Sequence, residues 1–397
     1  MLKLKNQIKD YAWGSKSLIP EYLGQEPGAE PQAEIWYGAH PDSPSITTAG
    51  PLDKVLEQHP NFLTGSNLEL EKLPYLVKML AADSALSLQV HPTKAQAKQG
   101  FAFEEKQGIS RDASHRNYKD DNHKPELIYA LTAFEALCGF RDINQTIEIF
   151  TELQNKNSKL ADSELFKQLQ GSLNADQGIK STFTFLLNKP TGIEDLVSQC
   201  VQTTVEIKGS KYQKEYETIV QLQKLYPGDP GVILSLMLNR VSLKPGQAIF
   251  LPAGNVHAYL KGLGIEVMAS SDNVLRGGLT PKHMDIAELL EVVEFKATDV
   301  SFLETEEDEL GRVILHPPFE EFQLQIMELK TEERANIAQN GPTIFLVGNG
   351  EVTCESPVES LTLKPGESIF IAHDEAPVTV FAKQQTQAFA VTVNEKS

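Results

Sequence analysis

The 397-residue sequence predicts a mainly β protein of two related β-barrels interrupted by an α-helical insertion. Three observations predict it. Residues 1–140 consist of short apolar runs punctuated by Gly and Pro, the pattern of strands joined by tight turns. Between 141 and 227 the apolar residues recur instead at helical spacing. Finally, Leu243-Lys244-Pro245-Gly246-x-x-Ile249-Phe250 returns as Leu363-Lys364-Pro365-Gly366-x-x-Ile369-Phe370, a turn leading each time into an apolar strand.

In chain order, "PYLVKML", "ALSLQVH" and "ELIYALTAFEALCGF" read as strands. "INQTIEIFTELQNKNSKL", "GIEDLVSQCVQTTV" and "KYQKEYETIVQLQKLYPGD" read as helices, the last closed by Pro227-Gly228. "VILSLMLNRVSLKPGQAIFLPAGNVHAYL" returns to strands, and "TPKHMDIAELLEVV" to a helix with Thr280 at the N-cap and Pro281 at its first position. The last hundred residues are again strand-like. The expected division is therefore 1–140 with 228–300 as one β domain, 141–227 as the helical insertion, and 301–397 as a second β domain.

With 41% hydrophobic and 23% charged residues, the composition is that of a globular protein. A net charge of -18 without a basic patch disfavours a nucleic-acid partner, while leaving room for a local pocket that holds a small anion. Cys138, Cys200 and Cys354 are isolated, so neither a disulfide framework nor a thiolate zinc site is indicated. "MLKLKNQIKDYAWGS" lacks the apolar core of a signal peptide and no segment reaches membrane-spanning length, so a cytoplasmic protein with no membrane partner is expected.

The stretch "SALSLQVHP" carries the first chemical signal. At period two, Leu86, Leu88 and Val90 share one face, and Ser87, Gln89 and His91 the other. "NHKPELIYA" adds Glu126, with Lys124 on the same face if the extended spacing runs through Pro125, and "PAGNVHAY" adds His257 after a Pro252-x-Gly254 turn. Zinc takes His nitrogen and carboxylate or amide oxygen, with a position left open in a catalytic site. Gln89, His91, Glu126 and His257 would suit it. Each also has a plainer reading: an inward histidine hydrogen-bonded in a core, a strand-edge carboxylate, a simple turn, and a glutamine that is an uncommon ligand. The second copy of the repeat has Pro377 where the first has His257, so it is expected to hold no metal.

These residues lie in blocks that resemble the type I phosphomannose isomerases of the cupin superfamily: "DYAWGS", "EIWYGAHPDSPS", "LPYLVKMLAADSALSLQVHPTKAQA", "NYKDDNHKPELIYALTAFEALCGFR" and "LKPGQAIFLPAGNVHAYLKGLGIEVMASSDNVLRGGLTPKH". The resemblance implies cupin-type jelly-roll barrels and one zinc ion per chain on Gln89, His91, Glu126 and His257. It also implies a sugar-phosphate substrate and the interconversion of mannose 6-phosphate and fructose 6-phosphate through an enediol. That reaction needs a base next to the reacting carbons, for which Lys124, Glu266 and His123 are candidates, Lys124 and Glu266 foremost. A phosphate dianion calls for Arg276, whose planar fork sits beside turn glycines, with Ser87, Lys94 and Lys282 completing the pocket. Trp13, Trp36 and Tyr259 suit either a sugar face or the barrel core. Two other classes are compatible with parts of the pattern. One is a cupin oxygenase with ferrous iron on His91, Glu126 and His257, against which Gln89 speaks; the other is a non-catalytic sugar-phosphate binder.

Overall fold

The computed structural model describes residues 1–64 and 70–394. It is mainly sheet with helices. A ten-stranded sheet is centred on the long strand His257–Ala269, which pairs antiparallel with Tyr75–Ala82 on one side and with Glu126–Ala130 and Phe134–Phe140 on the other. Residues 302 onward, joined by Leu2–Leu4 from the other end of the chain, supply a seven-stranded sheet, and a four-stranded sheet packs across it.

Period two decides what each strand buries. From Tyr75–Ala82, the side chains of Tyr75, Val77, Met79 and Ala81 join a core shared with Leu324, Ile344, Phe370, Phe389 and Val391 of the seven-stranded sheet. The alternate residues, Leu80 and Ala82, face the other way, among Ile128, Phe134, Leu251 and Tyr259. Leu127 and Tyr129 face the first core and Glu126 and Ile128 the second side; Ile265 and Val267 likewise turn outward and leave Glu266 inside. The charged residues of these strands are therefore carried inward by the same alternation that buries their apolar neighbours outward.

Six helices lie between Ile143 and Leu225. Asp142 caps the first by accepting from the Asn144 N–H, and Thr146, Ile149, Phe150 and Leu153 bury one stripe of it. Their core is continuous with Leu88, Val90, Phe140, Val256 and Leu275. The helices thus brace the back of the two short strands Gln89–Val90 and Leu275–Arg276.

The repeated turns have the same geometry. In both, Pro is followed by Gly with positive φ, 89° at Gly246 and 80° at Gly366, as a type II turn requires. In both, the lysine N–H donates to the side chain three residues on: Lys244 to Gln247 at 2.8 Å, Lys364 to Glu367 at 2.9 Å.

Four local expectations are corrected. Only Gln89–Val90 of "SALSLQV" forms a strand, because the preceding backbone bonds irregularly to Tyr259 and Gly278. "VILSLM" is helical, in Gly231–Leu234 and the 3₁₀ turn Ser235–Met237, since all of it is buried and a continuous apolar run carries no period of its own. The helix after "TPKH" spans Ile286–Val292, capped by Asp285 through the Glu288 N–H, while the Thr280 hydroxyl accepts only from Lys282 N in a local turn. A fourteen-residue helix, Lys94–Gln107, stands within the segment read as strands and turns; Thr93 and Gln96 form a capping box and Gly108 ends it at φ 71°.

Candidate metal centre and active site

The end of the strand Gln89–Val90 and the starts of the strands Glu126–Ala130 and His257–Ala269 bring His91, Glu126 and His257 together. His91 Nε2 lies 3.2 Å from Glu126 Oε1, and His257 Nε2 lies 3.3 Å from Glu126 Oε2. All three are buried. The second nitrogen of each ring is committed to a backbone carbonyl: Nδ1 of His91 to Asn273 at 2.7 Å, Nδ1 of His257 to Asn255 at 2.9 Å. Each Nδ1 is therefore the N–H donor, which leaves a lone pair on each Nε2 aimed at the same point. His91 Nε2 has no hydrogen-bond partner despite its burial. Register places Gln89 opposite His257 and also opposite Arg276. The Gly254 turn, φ 76°, donates its N–H to the His91 carbonyl at 2.8 Å, so the turn that delivers His257 also fixes His91.

Electrostatics suit ligation. Burial, opposed by the Glu126 charge, pushes His91 down to about 4, so the ring is neutral near pH 7. Burial pulls Glu126 up, but the adjoining His91 and His257 rings and the Lys124 ammonium hold it well below the usual carboxylate range. A buried carboxylate and two neutral imidazoles with converging lone pairs fit a divalent cation such as zinc, and the otherwise unpartnered Nε2 is the orphan such an ion would satisfy.

A small cavity of about 70 Å³ adjoins this cluster, lined by Gln89, Lys124, Glu126, His257, Tyr259 and Glu266 with Glu34, Lys78, Leu80 and Leu86. Lys124 Nζ is 3.3 Å from Glu126 Oε1, so the two do share a face across Pro125. Glu266 Oε2 is 3.0 Å from Lys78 Nζ, which also lies 3.5 Å from Glu34 Oε1. Burial raises the Glu266 carboxyl against the pull of Lys78; Lys78 itself is held above its ordinary value, the Glu266 and Glu34 charges outweighing burial. Trp36 donates to Glu34 at 2.6 Å and carries Lys78 over its ring. Sequence reasoning missed Lys78 and Glu34. The available signal was a lysine at an alternate position of the apolar run "YLVKMLAA", where a charge faces inward only with partners.

The residues expected to bind phosphate do not line this cavity. Arg276 is half-buried on the strand beside Gln89, and among the described residues its guanidinium has neither ion pair nor hydrogen bond. Lys282 is exposed, yet it feels the positive charges of Arg276 and Lys119, which with burial lower it. Lys94 is exposed in the first turn of its helix, near Glu321, and Ser87 is half-buried. His123 Nε2 is hydrogen-bonded to Glu321 Oε1 and does not line the cavity.

The chain is similar to known proteins along most of its length. The family model for the catalytic domain of type I phosphomannose isomerase matches residues 1–143. The mannose-6-phosphate isomerase of Escherichia coli K12 is 38% identical over 96% of this chain and 97% of its own, and that of Schizosaccharomyces pombe 32% identical over 97% of each. The apo crystal structure of mannose 6-phosphate isomerase from Salmonella typhimurium superposes with a TM-score of 0.87 at 34% identity, over 99% of both chains. A zinc-bound holo structure of a mannose 6-phosphate isomerase has the same TM-score, identity and coverage. A buried two-histidine, one-carboxylate centre inside a sheet of matching topology, carried by a chain alike from end to end, places this protein among the type I phosphomannose isomerases.

Proposed function

We propose that the chain interconverts mannose 6-phosphate and fructose 6-phosphate, with one zinc ion held by Gln89, His91, Glu126 and His257. The observation that carries this reading is the convergence of the His91, Glu126 and His257 ligand atoms, with the unpartnered His91 Nε2 at its centre. Zinc bound there would act as a Lewis acid on the oxygens of the reacting carbons. The protein's own groups supply the proton chemistry. Isomerisation removes a proton beside a carbonyl and returns it to the neighbouring carbon through an enediol, which requires a base within hydrogen-bond reach of both carbons. Glu266 and Lys124 line the same cavity as the ligands, and either is placed to move that proton. Lys78, clamped between Glu266 and Glu34, holds the Glu266 carboxylate in position.

Arg276 is proposed as the main phosphate contact. A half-buried guanidinium with no ion pair or hydrogen bond among the described residues supports an anion site, and its strand pairing with Gln89 would bring the phosphate end of the substrate next to the metal end. Lys282, Lys94 and Ser87 would complete that end. At the level of architecture we propose two cupin-type jelly-rolls, residues 1–140 with 228–300 and residues 301–397, flanking a helical insertion at 141–227. The matched Lys-Pro-Gly turns support two related units. A cytoplasmic location without nucleic-acid or membrane partners is part of the same reading; among the described residues no helix is long and apolar enough to cross a membrane.

The test is metal analysis of the purified protein with a coupled isomerase assay on mannose 6-phosphate. Chelation should abolish turnover and zinc should restore it. Normal turnover by fully metal-free protein would overturn the mechanism.

A further inference from the structure

Asn273 is completely buried and serves two elements of the centre at once. Its backbone carbonyl accepts from His91 Nδ1 at 2.7 Å. Its side chain is saturated by a different segment. Oδ1 accepts from the N–H groups of Lys119 at 2.8 Å and Asp120 at 3.3 Å, while Nδ2 donates to the carbonyls of Asp120 and Asn122, both at 2.8 Å, and to Asp120 Oδ1 at 3.2 Å. Neighbouring bonds reinforce the clasp. Ser271 Oγ donates to Asp120 Oδ1 at 2.8 Å and accepts from Asn273 N at 3.2 Å, and Asp120 Oδ2 accepts from Asp272 N at 2.7 Å.

The consequence is geometric. Residues 119–122 run directly into Lys124 and Glu126, so the amide of Asn273 ties down the approach to one ligand while its carbonyl fixes the tautomer and tilt of another. Three residues on, Arg276 pairs with Gln89. The amide is chemically required, because it must accept from two N–H groups on one side and donate to carbonyl oxygens on the other. Aspartate has the same shape but no donor, and would set a carboxylate oxygen against the Asp120 and Asn122 carbonyls and the Asp120 carboxylate.

We propose that Asn273 is a positioning residue for the metal centre, holding His91 and Glu126 in register through the 119–122 segment. This rests on the reading that His91, Glu126 and His257 hold a metal ion. The test uses the full-length chain loaded with zinc, and separately with cobalt(II), comparing wild type with Asn273→Asp. The readouts are the rate of metal transfer to a chromophoric chelator and the visible spectrum of the cobalt form. Metal loss about ten- to a hundredfold faster is expected, with a shifted cobalt spectrum, since outer partners of ligating histidines commonly carry that much of the affinity. A role confined to general stability would lower the melting temperature of the metal-free protein but leave both readouts of the folded, loaded protein at wild-type values, and that result would overturn the proposal. If Asn273→Asp does not fold, Ser271→Ala loosens the same clasp by one hydroxyl and should move both readouts in the same direction; no movement would count equally against it. A wild-type chain that takes up neither zinc nor cobalt would overturn the metal reading itself, and this inference with it.

Discussion

In the cavity on the inner face of the ten-stranded sheet, Glu34, Glu126 and Glu266 face Lys78 and Lys124, with both histidines nearby. Three buried carboxylates against two ammonium groups leave at most one excess negative charge, which favours a cation at this place, since buried charge is costly unless it is paired. His91 gives this a pH signature in the metal-free protein. Its folded value is about 4 against about 6.5 for a free histidine, so between those values the unfolded chain binds more protons, and stability falls as pH drops from about 6.5 through 4. The contribution lost is on the order of 3 kcal/mol. Urea unfolding of the chelator-stripped protein at pH 7 and pH 4.5 should show it, and His91→Gln should flatten the difference; an equal slope in the variant would assign the effect elsewhere. At Arg276 the expectation concerns the substrate. Arg276→Ala should lower kcat/KM about a hundredfold, the loss of a charge-assisted contact worth roughly 3 kcal/mol, and Arg276→Lys should recover only part of it. Unphosphorylated mannose should be affected much less. Equal loss on both sugars would move Arg276 from the phosphate to the reacting carbons.

Among the elements, the helix Lys94–Gln107 is informative because propensity and packing disagree within it. Gly100 lies in its interior, where alanine would ordinarily gain about 1 kcal/mol. A Cβ at Gly100, however, would meet the Tyr118 ring at 2.3 Å, and that ring is buried and held by its hydroxyl bond to Glu288 at 2.5 Å. Gly100→Ala should therefore destabilise the protein by roughly 1–3 kcal/mol, the usual cost of overpacking, instead of stabilising it. Thermal melting decides the sign. The helix itself was readable from Thr93-x-x-Gln96 and Gly108 as a capping box and a C-terminal glycine, but its polar sequence has no apolar stripe to announce it; only Ala97 and Glu104 are buried.

For the whole molecule, the ten-stranded and seven-stranded sheets differ in what packs on them. Between the seven-stranded and four-stranded sheets, Phe345, Val347, Val352, Leu363, Ile369, Val380 and Ala390 form an apolar core, and Pro377 stands at the repeat position matching His257. Such a core has no donor set for an ion. Metal analysis should accordingly find one zinc per chain, and a zinc-soaked crystal should show no ordered ion ligated from within residues 302–394. A second ion there would contradict the comparison of the two repeats. The two sheets are joined: the Tyr75 hydroxyl lies 2.8 Å from the Pro342 carbonyl and 2.6 Å from that of Val391, and Leu2–Leu4 pairs with Ser368–Phe370.

His91, Glu126 and His257 could be marked as candidates in the chain because ligand chemistry restricts residue type and because period two is local, but spacing left each with a plainer reading, and the resemblance to type I phosphomannose isomerases is what implied the set with Gln89. The repeated Lys-Pro-Gly turn was legible for a similar reason, since a positive φ after proline requires glycine. Tertiary structure decided the rest. Lys78 and Glu34 join Glu266 only because strands distant in sequence pair in one register, with Trp36 and Glu266 both opposite Lys78. Asn273 governs His91 through a carbonyl that every residue possesses, so nothing in its identity points to that contact. "VILSLM" became helix where strand was expected, because a run buried on all sides has no polar face to reveal its period.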